Sequence, residues 1–240
     1  MTVHTQRYKA QLNFSRGDQP VPLDEAIKAV KEMAAVKVQK KYKQARPRKP
    51  WDQTIEIVIW LGIDPKQADQ TVRGSVSLPK GIGTTKRVIA FAEGQAAEAA
   101  KAAGAAEVGG DDLVKKIQDG WTDFDVAIAH PSMMGKVGKL GRILGPQGKM
   151  PSPKSGTVTT DVGTAVAEYA AGKLEFRNDD GGNIHAVVGK ASFSDEDLKA
   201  NITAFVEHIR KLKPAGSKGT YIKRVCLKAT SSPSVTVEVA

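Results

Sequence analysis

The chain has 240 residues, a formal net charge of +10 at pH 7 and a pI of about 9.6. Its single cysteine excludes an internal disulfide framework and favours the reducing cytosol. No apolar run is long enough to span a bilayer, and the N-terminus lacks the apolar core of a secretory signal. A chain this basic favours a polyanionic partner such as RNA.

The first predicted element is a helix over residues 22–38, because Ile27, Val30, Met33 and Ala34 fall on one helical face. A strand over 54–62 follows, in which two sets of side chains alternate. The first set is Ile55, Ile57, Ile59 and Leu61, and the second is Thr54, Glu56, Val58 and Trp60.

A basic segment, residues 37–50, separates this helix from this strand. It contains no acidic residue, and its basic residues are Lys37, Lys40, Lys41, Lys43, Arg46, Arg48 and Lys49. Such a block is typical of disordered chain or of chain bound to nucleic acid. Trp51 follows directly, and it could pack at the start of the strand or stack on a base or ribose.

Charge divides the chain into three parts. Residues 1–81 hold 15 basic and 8 acidic residues, residues 82–172 hold 10 of each, and residues 173–240 hold 11 and 8. Two basic ends around a balanced middle predict a domain inserted into another. We therefore expect one domain from residues 1–81 and 173–240, and a second domain from residues 82–172.

The middle alternates strand and helix patterns, which predicts an α/β domain with a parallel sheet. Strands are predicted over 86–93, 106–110 and 124–130, and helices over 96–105, 111–120 and 161–172. Asp111 and Asp161 are the expected N-caps, and Gly104 and Gly120 the expected C-caps.

Residues 133–160 carry no acidic residue but are rich in glycine, proline and basic residues. This composition predicts a short helix that runs into a long cationic loop suited to phosphate, or else a solvated connector. The basic residues are Lys136, Lys139, Arg142, Lys149 and Lys154.

The pattern of the C-terminal part predicts a β-β-α-β-β run. The domain formed from the two chain ends is therefore expected to be α+β. Its helix, from Ser194 to about Lys211, begins with a capping box formed by Ser194 and Asp197. In the strand over 221–230, one face carries Arg224, Cys226, Lys228 and Thr230. That polar face suits phosphate and 2′-hydroxyl contacts, although it could be merely solvated.

Enzyme signatures are weak throughout the chain. The segment Gly81-Ile-Gly83 lacks the third glycine of a dinucleotide fingerprint, and Ile143 replaces the first glycine that a P-loop needs. The four histidines show no metal spacing, and Cys226 is best interpreted as a small strand residue. We expect no enzyme, no cofactor and no metal.

Four segments carry a resemblance to a known family. The segment LGRILGPQGKMPSPKSGTVT (140–159) resembles the signature of the ribosomal protein L1 family, the side-stalk proteins of the large ribosomal subunit. Residues 61–83, 176–193 and 213–225 match the bacterial branch in order and spacing, so the resemblance covers roughly residues 4–240.

The resemblance implies a split RNA-binding domain with an inserted Rossmann-like domain. It implies binding to the stalk region of large-subunit rRNA alongside other ribosomal components, and a mobile stalk that helps to release E-site tRNA. It also implies repression of translation through the protein's own operon mRNA. Such a protein is a structural component of the cytoplasmic ribosome, monomeric when free, with no membrane partner.

Site residues are carried over by position. The implied rRNA contacts are Trp51, Thr54, Glu56, His185, Lys190, Thr230, Ser231 and Ser232, joined by Arg224 and Lys228 from the strand-face argument. The basic segment is expected to add further RNA contacts, and the cationic residues of 136–154 are expected to contact tRNA or further rRNA. Gly81 and Gly172 are expected to act as hinges between the two domains.

The chain departs from the family pattern at several places. Trp51 replaces the usual phenylalanine, and Thr230-Ser231-Ser232 replaces Thr-Met-Gly. The signature reads Gln147-Gly148-Lys149 instead of Arg-Gly-Leu, and the basic segment resembles an insertion. Two alternatives stay open: a repressor that acts mainly outside the ribosome, and a small-molecule enzyme built on the α/β domain.

Overall fold

The computed structural model describes residues 5–14, 19–36, 51–67 and 69–238. The basic segment, with its predicted RNA contacts, lies outside the described residues. The chain divides into two compact units. Unit 1 comprises the described residues within 1–72, 78–83 and 177–240, and unit 2 comprises residues 73–77 and 84–176.

Strands and helices are numbered here in chain order. The strands are β1 (Thr54–Leu61), β2 (Arg73–Val76), β3 (Val88–Phe91), β4 (Glu107–Gly109), β5 (Val126–Ala129), β6 (Leu174–Arg177), β7 (Asn183–Lys190), β8 (Ile222–Ala229) and β9 (Val235–Val237). The helices are α1 (Gln6–Leu12), α2 (Leu23–Ala35), α3 (Gln95–Ala102), α4 (Asp111–Gln118), α5 (Met134–Val137), α6 (Gly141–Leu144), α7 (Val162–Ala170) and α8 (Asp195–Lys211).

Unit 1 is built on a four-stranded antiparallel sheet with the order β7-β1-β8-β9. The predicted alternation in β1 is confirmed. Ile57 lies opposite Ala186 on β7 and Leu227 on β8, and all three side chains are buried. Helices α2 and α8 supply the other side of this core, for example with Val30 and Phe205.

Helix α8 begins as the sequence predicts. Ser194 is the N-cap, and its hydroxyl oxygen accepts a hydrogen bond from the Asp197 backbone N–H at 3.1 Å. The same hydroxyl donates to the Asp197 carboxylate at 2.7 Å. Helix α2 spans Leu23–Ala35 and is shorter than the predicted range.

Unit 2 contains a three-stranded parallel sheet with the order β4-β3-β5. Helix α4 and the residues after β5 pack on one face of this sheet, where Ile89 and Phe91 are buried. Helices α3 and α7 pack on the other face, where Val88 and Ala90 are buried. Both faces of the parallel sheet are therefore covered, as crossover connections require.

The predicted β-β-α-β-β run is confirmed as an order of elements, from β6 and β7 through α8 to β8 and β9. Its first strand, β6, pairs with β2 in a separate two-stranded sheet. Arg73 and Glu175 strengthen this pair through an ion pair of 2.8 Å between Nη2 and Oε1. The four-stranded sheet of unit 1 takes β1 as the neighbour of β7 instead.

Residues 133–160 correct a prediction. Helical turns continue from Pro131 to Leu144, where a long loop was expected after a short helix. The buried residues are spaced by four, three and four positions: Met133, Val137, Leu140 and Leu144. This spacing places them on one helical face, so burial outweighs the low helix propensity of the intervening glycines.

Three of the four expected caps are confirmed and one is wrong. Asp161 caps α7, because its carboxylate accepts from the Thr164 N–H at 3.3 Å. Gly104 and Gly120 lie just beyond the ends of α3 and α4 with φ of 90° and 100°, which glycine adopts without strain. The N-cap of α4 is Gly110, whereas Asp111 is the first helical residue. A β-carbon at 110 would lie 2.6 Å from Glu93 Oε1, so the end of the Glu93 side chain would have to move to admit one.

Candidate nucleic-acid interface

The sheet of unit 1 has one face that its helices do not cover, which we call the open face. It is defined by the side chains opposite the core: Thr54, Glu56, Val58 and Trp60 on β1, His185 and Val187 on β7, and Arg224, Cys226 and Lys228 on β8. Each of these side chains is exposed or half-buried. The face is therefore an accessible sheet surface that a large ligand could contact.

The antiparallel register brings predicted site residues together along this face. Glu56 lies opposite Lys228, and the two side chains form an ion pair of 3.2 Å between Oε2 and Nζ. A carboxylate has further acceptor capacity beyond one ammonium contact, so Glu56 could also accept from guanine N–H groups or a 2′-hydroxyl.

One end of the open face is formed by Thr54 and its neighbours. Lys190 Nζ donates to Thr54 Oγ1 at 2.8 Å, which leaves the hydroxyl proton of Thr54 available to a ligand. The Thr54 carbonyl accepts from the Thr230 N–H at 3.0 Å and from the Thr230 hydroxyl at 3.2 Å. Thr230 therefore holds the end of β8 against β1 through these hydrogen bonds, whether or not it also contacts a ligand.

Ser231 and Ser232 continue from Thr230 in a turn at the same end. The Ser231 N–H donates to Gln53 Oε1 at 3.3 Å, and the Ser232 hydroxyl accepts from the Ala229 N–H at 2.9 Å. Both serines thus take part in holding the turn against the sheet. Thr230, Ser231 and Ser232 therefore form a polar turn that hydrogen bonds hold in place.

Trp51 precedes this end of the sheet and is 58% exposed. The structure therefore favours the solvent-facing alternative for Trp51 over the core alternative. Its neighbour Asp52 accepts from the Ser192 N–H at 3.1 Å and from the Ser192 hydroxyl at 2.6 Å. These bonds tie the chain next to the indole to the turn that follows β7.

His185 and Arg224 lie nearer the other end of the open face. His185 Nε2 is 3.5 Å from the Asp179 carboxylate. Desolvation opposes ionisation of Asp179, but hydrogen bonds from Asn183, Gly181 and His185 hold the pKa of this carboxyl below its usual value. The acid is thus kept charged beside the histidine.

The cationic residues of unit 2 are not equivalent. Lys136 Nζ contacts Glu93 at 3.1 Å and Asp111 at 3.0 Å. Lys149 Nζ donates to the Thr122 carbonyl at 2.9 Å. These two lysines help to hold unit 2 together, whereas three other side chains of this segment are exposed: Lys139, Arg142 and Lys154.

Two buried amide side chains of unit 1 were not among the predicted residues. Gln53 is only 4% exposed, donates to the Ala34 carbonyl at 2.7 Å and accepts from Ser231, so it joins α2, β1 and the polar turn. Asn201 on α8 is fully buried and binds Lys80 N–H and the carbonyls of Gly81 and Val188. In the sequence, the sign of such a role is a single amide side chain close to apolar positions, because a buried amide needs hydrogen-bond partners.

Within the residues that the structure describes, no group of three or more His, Cys, Asp or Glu side chains could hold a metal ion. No helix among them is long and apolar enough to cross a membrane. Cys226 is half-buried on β8, with its Sγ 3.9 Å from Thr236 Oγ1.

Comparison with known proteins decides the family. The model of the Ribosomal protein L1p/L10e family matches residues 39–233. The chain belongs to this family. The L1 resemblance noted in the sequence is thereby confirmed. The family consists of structural ribosomal proteins, so the alternative of a small-molecule enzyme is set aside on these grounds.

Three relatives illustrate the match, and each is named large ribosomal subunit protein uL1. The protein from Rhodopirellula baltica is 55% identical over 233 residues, which cover 97% of both chains. The protein from Nocardioides sp. is 50% identical over 206 residues, covering 86% of this chain and 84% of the relative. The protein from Thermobifida fusca is 49% identical over 214 residues, covering 89% and 86%.

Proposed function

We propose that the chain is a component of the large ribosomal subunit in the cytoplasm and that unit 1 binds the stalk region of large-subunit rRNA. The observation that carries the rRNA proposal is the open face, a sheet surface left uncovered by helices and lined by Glu56, Arg224 and Lys228. The L1 family membership and the relatives' names support the ribosomal role.

Each part of the face has a role in this proposal. Lys190, Arg224 and Lys228 contact phosphates, which supply affinity without sequence information. Glu56 and Thr54 contact 2′-hydroxyls or base edges, which supply selectivity. Trp51 stacks on a base or ribose. His185 and the 230–232 turn contribute further contacts, as does the basic segment 37–50.

The remaining roles extend the same proposal. Unit 2 serves as the inserted Rossmann-like domain, and its exposed cations Lys139, Arg142 and Lys154 contact E-site tRNA or further rRNA. Gly81 and Gly172 act as hinges between the two domains. An operon mRNA that presents the same fold as the stalk rRNA binds the open face, so the free monomer also represses translation.

Binding to an rRNA stalk fragment at several salt concentrations tests the rRNA proposal. Trp51→Ala should weaken binding by about 1–3 kcal/mol, because one stacked base is lost. Lys228→Met should reduce the salt slope by about 0.7–0.9, because one phosphate contact is lost. Lys199→Met is the matched control, since Lys199 lies on α8 and pairs with Asp24 at 2.8 Å.

Two results would contradict the proposal. The first is wild-type binding that is weak at every salt concentration. The second is tight binding that responds equally to Lys228→Met and Lys199→Met, because the open face would then contribute only bulk charge.

A further inference from the structure

Trp60 is an exposed aromatic residue in the middle of ordered structure. It lies on β1, on the open face, and is 45% exposed. Among the described residues, it is the one large hydrophobic side chain within a strand that is this exposed. Indole surface left in water forgoes burial free energy, so a partner for this ring would be favourable.

Cationic side chains surround this ring. Lys223 Nζ lies over the Trp60 ring, 4.8 Å from its centroid. Arg224 is the direct cross-strand partner of Trp60 on β8, and Asn183 is its partner on β7. An aromatic ring flanked by an ammonium and a guanidinium is the combination that holds a nucleobase and its phosphate.

An ammonium lying over an exposed indole favours a polyanion over a neutral protein surface.

We propose that Trp60 and Lys223 form a second nucleotide subsite, where an unpaired RNA base stacks on the indole and the Lys223 ammonium contacts its phosphate. The inference rests on the proposed RNA binding by the open face and extends it to the far end of β1. From Thr54 to Trp60 the strand runs ~20 Å, at about 3.3 Å per residue. The two ends thus engage separate nucleotides of one RNA.

Fluorescence of Trp60 tests this subsite directly. The double variant Trp51→Phe/Trp121→Phe leaves Trp60 as the single tryptophan, since the chain has three. Titration with the rRNA stalk fragment should quench its emission and shield it from acrylamide. Stacking onto a base brings both effects, whereas a ring that only lies near RNA stays open to the quencher.

Substitution supplies the second measurement. Trp60→Ala should lower RNA affinity by about five- to a hundredfold, the range for one stacked base, while Trp60→Phe should retain most of the affinity. Trp60→Thr, which keeps a strand-forming residue, should match Trp60→Ala and so separates stacking from folding. Leu212→Ala is the control for loss of an exposed apolar side chain, because Leu212 follows α8.

Three outcomes are decisive. Quenching of Trp60 fluorescence by RNA, together with a loss of RNA affinity in both Trp60→Ala and Trp60→Thr, supports the subsite. Tight binding that Trp51→Ala weakens, but that neither quenches Trp60 nor depends on it, overturns the subsite and leaves the proposed function standing. If the wild-type protein does not bind the fragment, both proposals fall together.

Discussion

The two main sheets of the molecule differ in how their faces are covered. In β3 all four side chains from Val88 to Phe91 are buried, whereas in β1 buried side chains alternate with accessible ones. Parallel strands need crossover helices on their faces, but antiparallel strands can leave one face in water. The difference shows where each unit can meet a ligand. Unit 1 offers an accessible sheet surface, and unit 2 offers the segments around its sheet.

The largest expected effect comes from substituting a buried side chain of β1. Ile57→Ala should lower the free energy of unfolding by about 2–5 kcal/mol, because Ile57 is fully buried and its loss leaves a cavity. Urea unfolding followed by circular dichroism measures this. RNA affinity well below the transition should stay unchanged, since Ile57 does not reach the open face. A loss below about 1 kcal/mol would mean that the core can collapse around the cavity.

A matched pair of valines compares the two sheets with one chemical change. Val88 is 2% exposed on β3, whereas Val58 is half-buried on the open face of β1. Val88→Ala should cost about 2 kcal/mol in the stability of unit 2, and Val58→Ala less than about 1 kcal/mol in that of unit 1. Fluorescence of Trp121 reports on unit 2, and that of Trp51 and Trp60 on unit 1. Equal losses would mean that the open face is covered.

The cationic residues of unit 2 give a smaller effect. Lys139 is exposed, whereas Lys136 is held by Glu93 and Asp111. If unit 2 contacts tRNA, Lys139→Met should lower the salt slope of tRNA binding by about 0.7–0.9. Lys136→Met is the matched control, and it should change the slope by clearly less. The reverse order would show that the ion-paired lysine, rather than the exposed one, meets the phosphate.

Local patterns in the sequence were sufficient for much of unit 1. The alternation of Ile55, Ile57, Ile59 and Leu61 depends only on the two-residue period of a strand, so it predicted the buried face and hence the open one. The cap at Ser194 needs only residues within one helical turn, and it too was predicted correctly.

Features that depend on distant residues could not be predicted in this way. The bonds from Gln53 and Thr54 to the 230–232 turn join residues that are 176 to 178 positions apart, and no local pattern gives that register. The helical turns to Leu144 follow the spacing of apolar residues along one face, and burial of that face outweighs the glycines between them.

The smallest effect concerns the helix that covers the inner face of the antiparallel sheet. Hydrogen bonds from Ser194 and from Lys80, whose Nζ lies 3.2 Å from Oδ1, hold the pKa of the Asp197 carboxyl below its ordinary value. The folded state therefore binds a proton at Asp197 less readily than the unfolded state. The resulting stability is present above the unfolded pKa of about 3.9 and is lost as the pH falls through the folded value.

We expect the unfolding free energies of the wild type and Asp197→Asn to differ at pH 7 and to converge as the pH falls below about 4. Glu196→Gln is the control, because it removes a carboxylate from the same helical turn but keeps the bonds between Ser194 and Asp197. A difference between wild type and Asp197→Asn that stays constant with pH would mean that the side chain acts by shape alone. A transition reported by Trp121 should not respond to Asp197→Asn, because the cap belongs to the unit whose sheet has only one covered face.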